Sequence, residues 1–439
     1  MFRTERATSD PSPSLKDIRH SLFTEWTSNR PITSLGTNSG SSSIAFQNWH
    51  KFKEAFPPEL IYKAVCNDKR DIRTCIDPFG GSGTTALASQ FLGISSTTVE
   101  VNPFLVDVIK SKLTLLNSDE LAHELGSLCD KVSRRETDPA KYFRNVPRTF
   151  IEPGHNGRWL FDSLVATRVA TILHAIDEIP DPSRRRFFRV ILGGVLIPIS
   201  NVTVNGKGRR YRRNWESVSI NPREVDRQFV SHCQDAIADI HRFADRPIVK
   251  SYVIHGDARN LRSKRLHDLA IFSPPYPNSF DYTDVYNVEL WMLGYLTTMD
   301  ANRTLRNSTL TSHVQLHRNY AKPPSGAPTL DATLTALEAI RAELWSQWIP
   351  SMVGAYFADL MTVLRRVFAV LNSEASCWIV VGDSRYGGVF VPTAQILEEL
   401  APTIGCSVVE ADPFRSMHSS AQHGGAEELS ETLLVLKRI

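Results

Sequence analysis

The sequence predicts an α/β protein: a Rossmann-like, doubly wound, mostly parallel seven-stranded sheet with a mainly helical insertion domain. Three observations predict it. A β-α-β-α run opens at Arg73: the apolar strand TCID breaks at PFGGSG, the helix TTALASQFLG follows, and STTVEV and PFLVDVIKSKLTLL repeat the alternation. Strands alternating with helices build a parallel sheet covered by helices. The alternation resumes far downstream at SYVIHGDA, DLAIFSPPY and SCWIVVGD. Between the two blocks, residues 117–248 lose the strand pattern and read mostly as helices, as in LFDSLVATRVATILHAI.

Taken in order, residues 1–44 are polar and rich in Ser, Thr and Pro. That composition predicts a flexible arm with one short helix over Leu15–Trp26. A helical stretch spans Phe46–Val65, with Pro57 and Pro58 in a first turn, where proline is tolerated. The sheet domain takes residues 45–116 and 249–439, and the insertion takes 117–248. A second, polar insertion containing AKPPSGAP occupies 297–344. A long helix from Trp345 to Leu371, the strand SCWIVVGD, the helix VPTAQILEELAPTIG and the strands CSVVEADPF and ETLLVLKRI complete the sheet.

Composition bounds the function. A chain of 439 residues, 42% hydrophobic and 22% charged, buries a sizeable core, which excludes global disorder and fibrous classes. The longest apolar stretch, Val190–Val204, is interrupted by Pro198, Ser200, Asn201 and Thr203, so no membrane span is expected. The first residues, MFRTERATSDPSPS, carry no apolar core of a secretory signal. Six cysteines without a CxxC pair read as reduced thiols of a cytoplasmic protein. The net charge is only +3, yet Arg184–Gln228 holds eleven basic residues against three acidic ones. Such a patch suits a polyanion.

Four constellations carry chemistry. Asp77-Pro78-Phe79-Gly80-Gly81-Ser82-Gly83 joins a strand to a helix, where glycines let a ligand approach the backbone. It lacks the lysine of a phosphate-binding P-loop, and alone it reads as a dinucleotide site or as a mere tight turn. Glu100 ends the second strand, where an acidic side chain can hydrogen-bond both ribose hydroxyls of a nucleoside, or simply stand in solvent. Asp257 follows the third strand and suits an adenine amino group or, more blandly, a helix or turn cap. Ser273-Pro274-Pro275-Tyr276 follows the apolar strand LAIF. Two prolines withhold N–H groups and leave a rigid corner. The Ser273 hydroxyl and the Pro274 carbonyl are two acceptors, and Tyr276 is a ring beside them, matched to a planar base with an exocyclic amino group.

With these residues in view, the chain resembles the S-adenosylmethionine-dependent DNA amino-methyltransferases, most like the cytosine-N4 type. DPFGGSGTT resembles the family's cofactor loop, VEVN its ribose motif, GDA its third motif and SPPY its catalytic motif. KFKEAFPPELIYKAV resembles the segment that encloses the methionine end, and VLRRVFAVLNSEASCWIVVGDS with ETLLVLKR the later core strands. The resemblance implies that residues 45–116 and 249–439 form the catalytic domain and that 117–248 is a candidate DNA-binding or target-recognition region. It implies S-adenosyl-L-methionine held by Phe56, Asp77, Phe79, Gly80, Gly81, Gly83, Glu100 and Asp257, with no metal. Catalysis falls to Ser273, Pro274, Pro275 and Tyr276. Arg209, Arg210, Arg212 and Arg213 are expected on DNA phosphates, and Asp281 and Tyr282 beside the target base. The family's orders place the recognition region after the third motif or after the catalytic block, whereas here the largest insertion precedes the third. The implied activity is methylation of cytosine N4 in duplex DNA after base flipping, within a bacterial or phage restriction-modification or related system whose endonuclease is a separate partner. Adenine-N6 methylation, RNA base methylation and a non-catalytic DNA-binding regulator are the competing readings.

Overall fold

The computed structural model describes residues 15–30, 43–52, 55–205, 208–217, 219–418 and 428–439. Its centre is a seven-stranded sheet. The strands are β1 (Thr74–Asp77), β2 (Ser95–Glu100), β3 (Ser251–His255), β4 (His267–Phe272), β5 (Leu371–Gly382), β6 (Cys406–His418) and β7 (Glu428–Arg438). Their spatial order is β6-β7-β5-β4-β1-β2-β3. Pairings from β3 through β2, β1 and β4 to β5 are parallel, and β7 runs antiparallel to both β5 and β6. The predicted fold class is therefore observed.

This order fixes the site. The chain leaves β1 towards β2 and β3 on one side, then crosses to β4 and β5 on the other. Neighbouring β1 and β4 thus flank the reversal, and ligands of open α/β sheets bind beyond the strand ends at such a point. The β1 end carries Asp77 and the glycine loop; the β4 end carries Ser273-Pro274-Pro275-Tyr276.

Side chains alternate across the sheet with period two. Cys75, Leu269, Ile271, Trp378 and Val380 join one core cluster, while Ile76, Ala270, Phe272, Cys377 and Ile379 join the other. The second cluster is completed by helices Pro328–Ala339, Ile349–Ala369 and Thr393–Leu400. The first takes in α1 (Leu15–Trp26), α2 (Pro58–Asn67), α3 (Thr84–Phe91), α4 (Pro103–Leu113) and the insertion helices Ser118–Arg134, Ser163–Asp177, Pro182–Leu196 and Pro222–Arg242. The insertion thus shares its core with one face of the sheet. Two of its helices start where Asn or Asp precedes proline: Asp181 caps Pro182–Leu196 and Asn221 caps Pro222–Arg242, each accepting backbone N–H groups. Proline at the first helical position loses only an N–H that has no intrahelical partner anyway.

The short helix expected in the N-terminal segment is docked onto the sheet domain. Trp26 is buried and stacks on Phe91 with centroids 4.4 Å apart, and Arg30 makes hydrogen bonds of 2.8–3.1 Å to both Glu59 oxygens. The remaining parts of the expected flexible arm, residues 1–14 and 31–42, lie outside the described residues. Helix was expected from Phe46, but α2 begins at Pro58, after a single 3-10 turn at Gln47–Trp49. Among the described residues no helix is long and apolar enough to cross a membrane.

Candidate active site

The sheet reversal opens into a cleft of about 710 Å³. Asp77, Phe79, Gly80, Gly81, Glu100, Asp257 and all four residues of the diproline corner line it. One cavity therefore gathers motifs from four strand ends and the segment before β1. Phe56 is nine-tenths buried in its wall, and Phe52 stacks on Tyr286 at 5.4 Å, both rings also facing the cleft.

The glycine loop is tightly built. A Cβ at Gly80 would meet Thr98 Cγ2 at 2.3 Å, and one at Gly81, where φ is +50°, would meet the Phe52 ring at 2.9 Å. Gly83 (φ +81°) starts α3 and packs against Ile109 without lining the cleft. Only glycine combines that conformation with that approach. Asp77 accepts the Phe79 N–H at 2.8 Å, and burial pushes its carboxyl up to about 6. Glu100 accepts the N–H groups of Gly81 at 2.7 Å and Asn102 at 2.8 Å; burial pushes it up to about 7 against these bonds. Beneath the loop, the buried Lys112 donates to the Ser82 carbonyl at 2.8 Å, with its ammonium pushed down to about 7 by burial.

Asp257 does two things. It caps the turn Ala258–Asn260 through the Arg259 N–H, and its carboxylate pairs with the Arg259 guanidinium at 2.7 Å, which in turn reaches Asp359. The bland and the functional readings of this residue are thus compatible: it is anchored, and it still lines the cleft.

The diproline corner is held from three sides. Ser273 Oγ donates to Tyr276 Oη at 3.1 Å, and Tyr276 Oη donates to Glu431 Oε1 at 3.1 Å. Gly382 backs the ring: a Cβ there would come within 2.6 Å of Cδ2 and Cε2 of Tyr276. Tyr386 Oη donates to the Pro277 carbonyl at 2.8 Å. Because the Ser273 proton is turned to Tyr276, the serine lone pairs remain acceptors, as does the Pro274 carbonyl, which has no N–H beside it.

Asp281 lies behind this corner. It is buried, accepts from Thr283 Oγ1 at 2.5 Å and pairs with Arg306, with His313 Nε2 at 3.6 Å. Burial raises its carboxyl, and His313, Thr283 and Arg306 outweigh that and hold it below the ordinary value. His313 itself is pushed down to about 4, chiefly by burial, and its Nδ1 has no hydrogen-bond partner. Of the two residues expected beside the base, Asp281 is thus engaged in a buried network, and the side chain of Tyr282 lies outside the described residues.

The four arginines divide. None lines the cleft. They sit on or just after the hairpin Val202–Asn205/Gly208–Tyr211. Arg209 pairs with Asp284 at 3.3 Å, tying the hairpin to the chain just past the diproline corner. Arg212 donates to the carbonyls of Ile197, Pro198, Ser200 and Val202 at 2.9–3.2 Å and so braces the hairpin. Arg210 and Arg213 are exposed. Much of the wider basic stretch is matched across the fold, Arg184 with Glu120, Arg186 with Asp107 and Arg189 with Asp177.

Sequence reasoning missed several cleft residues: Phe52, Tyr286, Glu431, and Ser308, Thr309, Leu310, Ser312 and His313 of the second insertion. The apolar-aromatic segment before the glycine loop was a signal for Phe52. Nothing local marks Glu431, one acidic residue in a terminal strand. Among the described residues, no cluster of three or more His, Cys, Asp or Glu is arranged to hold a metal ion.

No protein-family model matches the chain. It is 23% identical to the type II methyltransferase M.BsoBI of Geobacillus stearothermophilus, over 91% of this chain and 86% of that protein. It is 24% identical to the type II methyltransferase M.AvaI of a Nostoc species, over 89% and 86%. The similarity spans most of the length of both proteins. Among solved structures, an rRNA methyltransferase, AviRa of Streptomyces viridochromogenes, aligns over 91% of this chain and 92% of its own, at 11% identity and a TM-score of 0.31, too slight a likeness to weigh. The chain is thus a relative, at low identity, of type II methyltransferases.

Proposed function

We propose that this protein is a site-specific DNA methyltransferase that moves a methyl group from S-adenosyl-L-methionine to N4 of a cytosine flipped out of duplex DNA. The observation that carries the reading is the shared cleft: the glycine loop, Glu100 and Asp257 line the same cavity as Ser273-Pro274-Pro275-Tyr276. Its residues fit the cofactor's chemistry. Gly80 and Gly81 stand where no Cβ has room, a carboxylate closes β2, and another stands beyond β3. Phe52 and Phe56 wall the cleft, with the Phe52 ring against Gly81. When bound, the cofactor supplies an electrophilic sulfonium methyl.

The chain's own residues then do positioning. Extruding a base from the stack takes a few kcal/mol. Tyr276 supplies a stacking face that offsets part of it. Ser273 Oγ and the Pro274 carbonyl accept the two amino protons and draw the nitrogen towards a geometry whose lone pair can attack. Holding two reactants in line supplies much of the acceleration of such a displacement. Arg210 and Arg213 contribute phosphate contacts, which give affinity and salt dependence but no sequence reading. The name type II methyltransferase borne by both relatives supports a place in a bacterial or phage restriction-modification system, in the cytoplasm with a separate endonuclease.

The test is transfer of tritium from labelled cofactor into duplex DNA, followed by nucleoside analysis. N4-methylcytosine is expected. N6-methyladenine as the sole product overturns the cytosine assignment, and label in tRNA but not in duplex DNA overturns the DNA assignment.

A further inference from the structure

The cleft contains a buried carboxylate that both holds the Tyr276 ring and ends a chain of two hydrogen bonds. Glu431 lies on β7, is 5% exposed, and lines the cavity. It accepts the Tyr276 hydroxyl proton at 3.1 Å, and Tyr276 accepts the Ser273 proton at 3.1 Å. Both hydrogen bonds point the same way, from the corner that faces the amino group towards the carboxylate. A hydroxyl both donates and accepts, so Ser273 can take a proton while passing on its own.

We propose that Ser273, Tyr276 and Glu431 form a proton relay that discharges the amino nitrogen, with Glu431 as the terminal base. The inference rests on the methyltransferase reading above. When the N–CH3 bond forms, the S–CH3 bond breaks and its electron pair stays on sulfur, leaving the nitrogen with a positive charge and a surplus proton. That proton passes to Ser273 Oγ, the Ser273 proton to Tyr276 Oη, and the Tyr276 proton to Glu431, which becomes a neutral acid. The serine and tyrosine end as they began, and the base ends neutral and methylated. Solvent recovers the proton from Glu431 when the cleft opens for product release.

The relay separates from a purely structural role by one substitution. Glu431→Gln keeps an oxygen that accepts the Tyr276 hydroxyl but removes the base. Three quantities are read on the full-length protein: single-turnover methyl transfer to duplex DNA, cofactor Kd by calorimetry, and fluorescence of 2-aminopurine at the target position, which reports flipping without chemistry. The relay predicts transfer slowed about 100-fold, the lower range for proton-transfer catalysis, with cofactor Kd and the flipping signal within twofold of wild type. Tyr276→Phe, which keeps the ring and cuts the relay, is expected to show the same loss, and the double variant no more than either single one. Transfer by Glu431→Gln at the wild-type rate overturns the relay while leaving the methyltransferase reading intact. Loss of flipping or of cofactor binding in that variant also overturns it, in favour of a structural carboxylate. Wild-type protein that methylates no duplex DNA overturns the reading itself.

Discussion

Gly382→Ala isolates the position of the Tyr276 ring. Gly382 lies in β5 and is not among the glycines with positive φ, so alanine meets no backbone strain there. Its Cβ would stand 2.6 Å from two ring carbons. Non-bonded carbons rest about 3.5–4.0 Å apart, so the ring must withdraw by about 1 Å. It cannot do so freely, because its hydroxyl is bonded to Ser273 and Glu431 and the chain after it is held through Pro277 by Tyr386. A misplacement of about 1 Å at a reacting group is worth about 100-fold in rate, or roughly 2.7 kcal/mol of barrier. Overpacking of this kind also lowers stability by about 1–3 kcal/mol. The glycine loop and Glu100 lie on other strands and are untouched. Steady-state transfer of labelled methyl to DNA should therefore show kcat down about 100-fold, with an unchanged cofactor Kd by calorimetry. A kcat within twofold of wild type refutes the placement of Tyr276 in the reaction.

Two further outcomes follow from the buried lysine and the divided arginines. Lys112 is held near neutrality by burial, with a folded value of about 7 against 10.5 when exposed; the unfolded chain binds the extra proton between these values, so folding stability from this group rises with pH across that window and is flat below it. Urea unfolding at pH 7 and pH 9 should show wild type gaining relative to Lys112→Met at the higher pH, and an unchanged difference refutes the assignment. Arg210→Ala and Arg213→Ala should weaken DNA binding evenly across sequences and each reduce the salt slope by about 1, without changing Tm. Arg212→Ala should instead lower Tm, because four carbonyls lose a charged donor and such bonds are worth about 1.5–3 kcal/mol each at most; equal behaviour of the three variants in titration and melting contradicts the division.

Much of the fold was legible because its signals are local. The short apolar strands TCID and LAIF, the break at PFGGSG and the helical spacing of the segments between them each depend on a few consecutive residues. The diproline corner was legible for the same reason: two missing N–H groups end a strand wherever they fall. The helix start before β1 was placed too early because apolar content does not locate a first turn; Pro58 and the extended Pro57 before it do.

The sequence by itself determined the βα alternation, the glycine loop and the rigid corner after β4. Only the tertiary structure decided what stands beside them. The crossing from β3 back to β4 sets the two loops side by side at the reversal of the sheet, and antiparallel return of the last strand lays Glu431 against Tyr276. Packing likewise dispersed the basic stretch: a count along the chain sees eleven cations, whereas the fold turns Arg184, Arg186 and Arg189 onto distant carboxylates and Arg212 onto carbonyls. Turn chemistry and periodicity act over a few residues and survive in one dimension. Charge pairing and the walls of a cleft depend on which remote segments meet, and that is set by the burial of the whole core.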